Sequence, residues 1–381
     1  MYLKRAIRKD FISKLQTNKV SLLLGARRVG KTSFIKSIIE EFDQMYILLN
    51  GENSQTKEML QEITTENYQS IIGFATLLII DEAQKIPNIG NILKFIVDNI
   101  EGVKVIATGS SAFDLNNKLG EPLVGRKKTF YLYPFAQSEY DAIENRIETK
   151  SKLEERLIFG NYPELIHLKG RKDKEAYLIE LTDDYLFRDI LEFDGIKNAD
   201  KLRNLLKLIA FQVGKEVSLN ELSRNLGIHK DTVARYLDLL SKVFVIYKIP
   251  GFSKNLRKEV TKMDRWNFYD NGVRNAVVNN FSSLDYRADQ GELWENYILS
   301  ERIKFQKYNN VYSNNYFWRT YQQQEIDWVE EKDGNLAAYE IKWNAKKKVK
   351  IPSAWANAYP EAKFESINPE NYLSWISKNK L

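Results

Sequence analysis

The most constraining feature of this chain is a short glycine-containing segment between an apolar run and an amphipathic one. The segment is Gly25-Ala26-Arg27-Arg28-Val29-Gly30-Lys31-Thr32, and it follows the apolar residues 20–24. Its spacing is the Walker A pattern G-x-x-x-x-G-K-[ST], in the strand-before, helix-after context that the pattern requires. Glycines let the backbone wrap closely around an anion, and backbone N–H groups at a helix N-terminus face it. The sequence therefore predicts a phosphate-binding loop.

ATP with Mg²⁺ is the predicted ligand of this loop. Lys31 is expected to reach the β- and γ-phosphates, and the Thr32 hydroxyl is expected to ligate the metal. From average composition, a chance match to the pattern arises in on the order of one chain in a hundred. The predicted nucleotide-contacting residues are Gly25, Arg28, Val29, Gly30, Lys31, Thr32, Ser33 and Asp81.

A pair of acids supports the same interpretation. Asp81 and Glu82 directly follow residues 77–80, an apolar run typical of a buried parallel strand, which makes this a Walker B element. Ligands of open α/β sheets bind at the carboxyl ends of the strands. Asp81 is predicted to hold the Mg²⁺ shell and Glu82 to deprotonate the attacking water. The alternative is a solvated helix cap after a buried strand.

Two further residues are candidates for the reaction itself. Ser110 follows the apolar residues 105–107 and is expected beside the γ-phosphate as a sensor. Arg126 is a candidate for the cation that stabilises transition-state charge, supplied within the chain or by a neighbouring copy. A solvated surface arginine is the alternative for Arg126. The predicted catalytic residues are Lys31, Glu82, Ser110 and Arg126.

Apolar periodicity defines the fold class around the loop. Strand-like runs alternate with helical patterns up to about residue 135, which is typical of an α/β domain with a parallel sheet. The predicted strands cover residues 20–24, 46–49, 77–80, 103–107 and 129–132. A helical pattern follows to about residue 217, and aromatic-rich strands are predicted over residues 316–343. The chain is therefore expected to contain several domains.

Composition restricts the possible metals and partners. The chain has no cysteine and two histidines, so thiolate sites are excluded and any metal must bind carboxylates. Its apolar runs are too short for a signal peptide or a membrane span, which predicts a cytoplasmic protein. The net charge of +6 over 381 residues decides little. Basic clusters at 126–128, 254–258 and 346–350 suit DNA or a solvated surface equally.

A helix-turn-helix is predicted between residues 218 and 249. Ser218 and Glu221 have capping-box spacing, Gly227 marks a turn, and a second helix precedes a strand-like segment. Asp231 and Asp238 dilute the basic face of the second helix, so a rigid connector that touches no nucleic acid is a strong alternative. The residues suited to DNA on this helix are Lys230, Thr232 and Arg235.

An acidic hairpin is predicted near residue 330. An Asp-Gly pair at 333–334 fits a two-residue turn, and counting outward places Asp327 opposite Glu340. The same count places Glu325 opposite Lys342. Opposed carboxylates about 5 Å apart at Cβ invite a hard divalent cation such as Mg²⁺, whereas a Glu325–Lys342 salt bridge on a solvated face is the alternative. The predicted second metal site consists of Asp327 and Glu340, with Glu295 and Lys342 associated.

Together these motifs resemble a known family, the AAA-like ATPases with a winged helix and a C-terminal domain of uncharacterised function related to PD-(D/E)xK nucleases. The resemblance covers nearly the whole chain in order. The matching stretches are residues 25–32, 77–84, 108–110, 123–126, 132–135, 269–272, 294–296, Arg319, 325–327 and 340–342.

The resemblance implies ATP binding at Gly30, Lys31 and Thr32, Mg²⁺ handling at Asp81, and a metal site at Asp327 and Glu340. The expected domains are then a P-loop AAA-type ATPase domain (1–150), a helical lid or connector (151–215), a winged helix-turn-helix (216–282) and a restriction-nuclease-like α/β domain (283–381). Two departures are Asn161, where the family has a second glycine, and Trp294, where a smaller residue is usual.

Three functions fit these observations. The favoured one is an ATP-hydrolysing switch that acts on DNA through the winged helix and the C-terminal region. The second is an ATP-gated, metal-dependent DNA nuclease that works through Asp327, Glu340 and Lys342. The third is a signalling ATPase whose C-terminal domain binds a protein partner. The sequence leaves the partner, the oligomeric state and the source of any arginine finger open.

Overall fold

The computed structural model of this protein describes residues 3–42, 44–110, 123–186, 198–253 and 263–377. Contacts between Cα atoms divide the chain into two units. The first contains Met1–Tyr133 and Lys242–Phe244, and the second contains Pro134–Ser241 and Val245–Leu381. The division into four domains stays a prediction, because one such unit can hold several domains. The basic cluster at 254–258 lies outside the described residues.

A parallel sheet forms the centre of the first unit, in the order β2-β3-β4-β1-β5. Every neighbouring pair is parallel, which confirms the predicted α/β class. All residues of β1 are buried, and apart from Ser21 its side chains are apolar, as in a strand covered on both faces of the sheet. The strands are β1 (Val20–Leu24), β2 (Tyr46–Asn50), β3 (Leu77–Asp81), β4 (Lys104–Gly109) and β5 (Lys127–Tyr131).

Five α-helices accompany this sheet within the described residues of the first unit. The N-terminal helix packs the ring of Phe11 against Phe34 and Phe130, at centroid distances of 5.4 and 4.7 Å. This aromatic contact joins α1 to the helix after the glycine-rich loop and to β5. The helices are α1 (Arg8–Ser13), α2 (Lys31–Ile39), α3 (Ser54–Gln61), α4 (Thr65–Ile72) and α5 (Ile89–Asn99), with a 3₁₀ turn at Ala83–Lys85.

The second unit begins with helices, as the sequence predicts. Its first part contains α6 (Gln137–Tyr140), α7 (Arg146–Ser151), α8 (Leu153–Phe159), α9 (Arg171–Glu180) and α10 (Ala199–Phe211), with a 3₁₀ turn at Pro163–Ile166 and a π-helix at Leu181–Leu186. A three-stranded sheet of order β6-β8-β7 follows in the chain. Its strands are β6 (Glu216–Val217), β7 (Ile246–Ile249) and β8 (Asp264–Phe268).

Two helices joined by a short turn lie between β6 and β7 in sequence. The first, α11 (Leu219–Leu226), is capped by Ser218, whose Oγ accepts a hydrogen bond from the Glu221 N–H at 3.3 Å. Gly227 ends it in the left-handed conformation, with φ of 62°, which a glycine adopts without strain. The second helix is α12 (Lys230–Lys242). The predicted helix, turn and helix are therefore present.

The C-terminal part of the second unit contains a long helix and a four-stranded sheet. The sheet has the order β12-β11-β10-β9. Its elements are α13 (Asn271–Val277), α14 (Gln290–Tyr308), β9 (Asn314–Arg319), β10 (Glu325–Lys332), β11 (Asn335–Ile341), α15 (Ser353–Ala358), β12 (Lys363–Ile367) and α16 (Tyr372–Ile376), with a 3₁₀ turn at Leu284–Tyr286.

The predicted hairpin of β10 and β11 has the predicted register. Asp333 and Gly334 both have positive φ, 51° and 78°, as a type I′ turn requires. Lys332 pairs with Asn335, and the antiparallel pairing continues to Trp328 and Tyr339. The register between β10 and β9 shifts between Ile326 and Val329, so an irregularity lies at Asp327.

None of the helices within the described residues is both long enough and apolar enough to cross a membrane.

Candidate functional site

The glycine-rich loop lies at the carboxyl edge of the parallel sheet, immediately after β1. Arg28 and Gly30 have φ of 66° and 89°, and α2 begins at the next residue, Lys31. A Cβ at Gly25 would lie 2.1 Å from the carbonyl oxygen of Leu132, so a side chain is sterically excluded there. The Val29 side chain is buried, which leaves only its backbone to face a ligand. This geometry is that of an anion-binding loop at a helix N-terminus.

Lys31 lies inside this loop. Its ammonium donates hydrogen bonds to the carbonyl oxygens of Gly25 and Ala26, at 3.0 and 3.1 Å. The side chain is buried, so its charge is held where the loop closes. A phosphate bound in the loop would offer oxygens of opposite charge in place of these carbonyls.

Arg5 is a supporting residue that the sequence analysis did not identify. Its guanidinium is buried and donates hydrogen bonds to the carbonyl of Val29 at 2.8 Å and to that of Tyr133 at 2.5 Å. It therefore ties the loop to the segment after β5. Its separation from Tyr133 along the chain leaves no local pattern that would have indicated this role.

Asp81 is held by two hydroxyl groups. Thr32 Oγ1 donates to Asp81 Oδ2 at 2.7 Å, and Thr108 Oγ1 donates to Asp81 Oδ1. Thr108 also accepts a hydrogen bond from the Glu82 N–H at 3.1 Å. Threonine and aspartate oxygens are hard ligands of the kind that Mg²⁺ prefers. Thr32 and Asp81 therefore fit the Mg²⁺ of a bound nucleotide, and Thr108 orients the carboxylate.

Glu82 occupies an unusual backbone position directly after β3. Its φ is 49°, in the left-handed region that costs energy for a residue with a Cβ. A Cβ at Gly51 would lie 2.4 Å from the Glu82 carbonyl oxygen, so the backbone passes close to that turn. This conformation turns the chain at the carboxyl end of the strand and presents the carboxylate at the edge of the sheet.

Gln84 connects Glu82 with the predicted sensor. Its Nε2 donates to Glu82 Oε2 at 2.5 Å and to Ser110 Oγ at 3.1 Å. Gln84 belongs to residues 77–84, a stretch of the family resemblance that indicates no role for this amide. The structure therefore brings Lys31, Thr32, Asp81, Glu82 and Ser110 to the same edge of one sheet. Arg28 and Ser33, from the predicted set, are exposed there.

Arg126 lies elsewhere. It directly precedes β5, whose first residue, Lys127, pairs with Val20 at the start of β1. The glycine-rich loop follows the last residue of β1, so the length of this strand, roughly 15 Å, separates the backbone of Arg126 from the loop. Arg126 Nε instead lies 2.6 Å from Asp98 Oδ1. This placement favours the surface alternative within one chain, and a role of Arg126 in a neighbouring copy stays a prediction.

The second unit brings together a set of carboxylates that we call the acidic cluster, namely Glu295, Glu325, Asp327 and Glu340. Asp327 Oδ2 accepts a hydrogen bond from the Ile341 N–H at 2.8 Å. Lys342 Nζ lies 2.6 Å from Glu340 Oε1 and 3.4 Å from Asp327 Oδ2. Lys342 thus contacts both opposed acids and balances one of their two charges, where the alternative expects it to pair with Glu325.

Burial and mutual repulsion shape the ionisation of this cluster. Burial, followed by the charge of Asp327, raises the pKa of Glu340 to about 7. The same two causes raise the pKa of Glu295 well above its ordinary value. Burial alone would lower the pKa of the Lys342 ammonium. The negative charges of Asp327 and Glu340 have the larger effect, and they raise this pKa. The cluster is therefore short of compensating positive charge.

The acidic cluster and Lys342 contain the residues of the second metal site that the sequence predicts. Within residues 3–42, 44–110, 123–186, 198–253 and 263–377, no group of three or more His, Asp or Glu side chains is arranged to hold a metal ion. The predicted site has two ligands, Asp327 and Glu340, with Glu295 and Lys342 associated, and it stays a prediction. Side-chain ammonium and guanidinium groups lie among these carboxylates.

Other motifs of the resemblance have structural roles. Asp270 is buried, and its carboxylate accepts hydrogen bonds from the N–H groups of Asn161 and Val273 at 2.7 and 3.2 Å. A Cβ at Gly160 would lie 2.0 Å from this carboxylate. The Asn161 amide also reaches Glu301 Oε1 at 3.3 Å, a contact that a glycine cannot make. These residues organise the interior of the second unit.

Family comparisons agree with the P-loop geometry. Residues 17–141 match the family model described as an AAA domain. Residues 150–284 and 290–373 match two further models, each described as a domain of unknown function (DUF8612 and DUF4143). The first unit therefore contains an AAA-like P-loop ATPase domain.

Two curated relatives align over most of the chain. The uncharacterized protein MJ1544 of Methanocaldococcus jannaschii is 24% identical over 395 residues, which cover 96% of this chain and 84% of that protein. The uncharacterized protein Rv2008c of Mycobacterium tuberculosis is 24% identical over 326 residues, which cover 85% of this chain and 70% of that protein. The similarity thus extends beyond the P-loop domain.

Solved structures of helicases are similar to part of the chain. The crystal structure of the Pif1 helicase from Candida albicans is 15% identical and covers 48% of this chain and 48% of that chain, with a TM-score of 0.26. A second Pif1 structure, from work on DNA unwinding at forked double-stranded DNA, is 16% identical, with a TM-score of 0.26 and coverage of 48% and 52%. The chain spans about half the length of these structures, and likeness at this level carries no functional conclusion.

Proposed function

We infer that this protein is a Mg²⁺-dependent ATP-hydrolysing switch that acts on DNA. The observation that carries the ATPase assignment is the hydrogen bond of 2.7 Å between Thr32 and Asp81, with Glu82 as the next residue. It joins the Walker A and Walker B elements at the edge of the sheet where ligands of parallel α/β sheets bind. Mg²⁺ bound by these oxygens would supply charge neutralisation of the phosphates.

Binding of the nucleotide depends on residues of the loop. Lys31 would exchange the carbonyls of Gly25 and Ala26 for oxygens of the β- and γ-phosphates, and the backbone N–H groups of the loop would hold the rest. Arg5 stabilises the loop through the hydrogen bond that it donates to the carbonyl of Val29. These contacts hold the loop in its conformation before the nucleotide binds.

Hydrolysis depends on Glu82. Its carboxylate would orient a water molecule and accept its proton as the water attacks the γ-phosphate. The Gln84 amide, bonded to both Glu82 and Ser110, would report whether the γ-phosphate is present. Loss of that phosphate would change the hydrogen bonds of Gln84 and so move the segment after β3, which is the conformational step of the switch.

DNA is the partner that we favour, through a winged helix formed by α11, α12 and the β6-β8-β7 sheet. Lys230 and Arg235 are exposed on α12. A recognition helix of this kind contacts phosphates and base edges in a major groove. The lysines of residues 346–350 offer further positive charge in the C-terminal part, for which we propose a nuclease-like fold.

A protein partner is the second candidate, and one surface favours it. β2 is an edge strand of the parallel sheet, and its Tyr46 and Leu48 side chains are exposed, next to Met45. Phe74, just before β3, is 92% exposed. Exposed apolar groups beside a free strand edge are typical of interaction surfaces.

The test is steady-state ATP hydrolysis with Mg²⁺, with and without duplex DNA at low salt. Glu82→Gln serves as the blank, and Lys31→Ala is expected to lose nucleotide binding. Stimulation by DNA that weakens with salt and is lost in Lys230→Glu/Arg235→Glu, but kept in the control Asp238→Asn, would support the DNA-directed switch. Turnover that ignores DNA would favour the protein partner, and unchanged turnover in Lys31→Ala would remove the ATPase assignment.

A further inference from the structure

A guanidinium group lies inside the acidic cluster. Arg265 belongs to β8 and is 4% exposed. Its Nη2 lies 3.0 Å from Glu325 Oε2, and its Nη1 lies 3.9 Å from both Glu295 Oε1 and Asp327 Oδ1. One cation therefore faces three of the four carboxylates of the cluster.

The position of Arg265 is built by its surroundings. Its guanidinium carbon lies 4.3 Å from the centre of the Phe317 ring, over its face. β8 is the middle strand of its sheet, between β6 and β7, so the backbone that carries Arg265 is held on both sides. An arginine that stacks on a ring and faces several acids loses little freedom when it binds them.

Several buried polar atoms of the cluster lack a hydrogen-bond partner among the described residues. They are Arg265 Nε, Glu295 Oε1 and Glu340 Oε2. Buried polar atoms normally form at least one hydrogen bond. Because these three atoms form none among the described residues, charge holds Arg265 and the carboxylates together more than hydrogen bonds do. A divalent cation satisfies carboxylates in the same way, by charge and proximity.

We propose that Arg265 is the permanent counter-cation of the acidic cluster and takes the place that a divalent cation would need there. The cluster is then an ion-paired junction between β8 and the C-terminal sheet, and it binds neither Mg²⁺ nor Mn²⁺. Replacing Arg265 with a small neutral side chain converts the cluster into a divalent-cation site. This proposal is independent of the ATPase assignment.

The physical reason is competition for the same charge. A guanidinium and a divalent cation at the same carboxylates repel each other, and the guanidinium of Arg265 is already buried beside them. Removal of the guanidinium leaves Glu295, Asp327 and Glu340 with Lys342 as the cation beside them among the described residues. Uncompensated buried carboxylates then gain most from a hard cation.

A consequence for function follows. The C-terminal part of this chain would contribute no metal-dependent cleavage of DNA. Instead, the helix-turn-helix region and the C-terminal sheet would move as one body, because Arg265 of β8 binds Glu325 and Asp327 of β10.

The experiment measures Mn²⁺ binding by electron paramagnetic resonance, and thermal unfolding with and without Mn²⁺, on the full nucleotide-free chain. The variants are Arg265→Ala, Arg265→Lys, Glu340→Gln and the control Arg319→Ala, which removes a cation from the rim of the cluster. Comparison with Glu340→Gln cancels any Mn²⁺ bound at Asp81.

The expected result is that wild type, Arg265→Lys and Arg319→Ala bind no more Mn²⁺ than Glu340→Gln. Arg265→Ala gains a Mn²⁺ site roughly ten-fold or more tighter than any in Arg265→Lys, and Mn²⁺ raises its melting temperature. Addition of Glu340→Gln to Arg265→Ala removes that gain.

Two outcomes would overturn the proposal. One is a wild-type Mn²⁺ site that Glu340→Gln abolishes, since it would show that a metal coexists with the guanidinium; this comparison decides even where Arg265→Ala fails to fold. The other is a folded Arg265→Ala, shown by circular dichroism, that gains no Mn²⁺ site.

Discussion

The phosphate-binding edge of the first unit and the acidic cluster of the second both place carboxylates at β-strands, but the groups that contact these carboxylates differ in charge. Asp81 accepts hydrogen bonds from the hydroxyls of Thr32 and Thr108, which are neutral. Asp327 lies beside the ammonium of Lys342 and the guanidinium of Arg265. Both are acids that a sequence pattern assigns to metal binding.

This contrast shows which acids can recruit a cation. A hydroxyl orients a carboxylate without cancelling its charge, and Thr32 is itself a suitable ligand, so Mg²⁺ can enter without displacing a cation. Buried ion pairs, in contrast, must be broken before a metal can bind. The partners of an acid, more than its spacing, therefore decide whether it serves chemistry or structure.

The largest expected effect comes from the phosphate-binding edge. Glu82→Gln should lower kcat for ATP hydrolysis by about 10²- to 10⁴-fold, the usual loss on removal of a general base, with nucleotide binding retained. The matched change in the acidic cluster, Glu340→Gln, should leave turnover near wild type. Steady-state kinetics and nucleotide titration measure both, and an equal loss in the two variants would break the contrast.

Thr108→Val sharpens the role of the hydroxyls. It keeps the shape of the side chain but removes the hydrogen bonds to Asp81 and Glu82, so we expect kcat/KM to fall by about 10- to 100-fold, as for other residues that orient metal ligands. Thr129→Val, in β5 beside Leu22, is the control in the same sheet. A larger Mg²⁺ requirement in Thr108→Val alone would support the assignment, whereas equal kinetics in the two variants would contradict it.

The acidic cluster should reveal itself in the pH dependence of stability. The pKa of Glu340 is raised from its ordinary 4.5 to about 7, so the folded state binds this proton more tightly than the unfolded state. The resulting stability is present below about pH 4.5 and is lost as the pH rises through about 7. The wild type should therefore lose more stability than Glu340→Gln between about pH 5 and about pH 8, by on the order of 2 kcal/mol.

Denaturant unfolding of both proteins at the two pH values measures this difference. Parallel stability curves for wild type and Glu340→Gln would show that Glu340 is ionised at no cost in the folded protein.

The smallest effect on ATP turnover is expected at Arg126, which lies at the amino ends of the strands of the parallel sheet. Arg126→Ala removes an ion pair with Asp98 whose two side chains are 40% and 33% exposed, and exposed pairs contribute about 0 to 1 kcal/mol. At low protein concentration its ATP turnover should equal that of the wild type. Turnover that rises with protein concentration in the wild type but not in Arg126→Ala would show that a neighbouring copy uses this arginine.

Local patterns account for what the sequence predicted well. The strand before the glycine-rich loop and the helix after it depend on residues within one segment, and so do the Asp333-Gly334 turn and its register. Thr108 and Gln84 were within reach as hydroxyl and amide groups in matching stretches, but nothing in their spacing showed which acid they would contact.

What the sequence alone determined is the P-loop, its acidic pair and the pairing of β10 with β11, because each follows from backbone conformation and side-chain alternation over a few residues. Tertiary structure decided the rest. Arg5 donates a hydrogen bond to the distant residue Tyr133. Arg126 lies at the amino ends of the strands, opposite the glycine-rich loop. Arg265 of one sheet donates a hydrogen bond to Glu325 of another. Charge compensation acts through space, so residues distant in the chain decided which carboxylates keep their negative charge available.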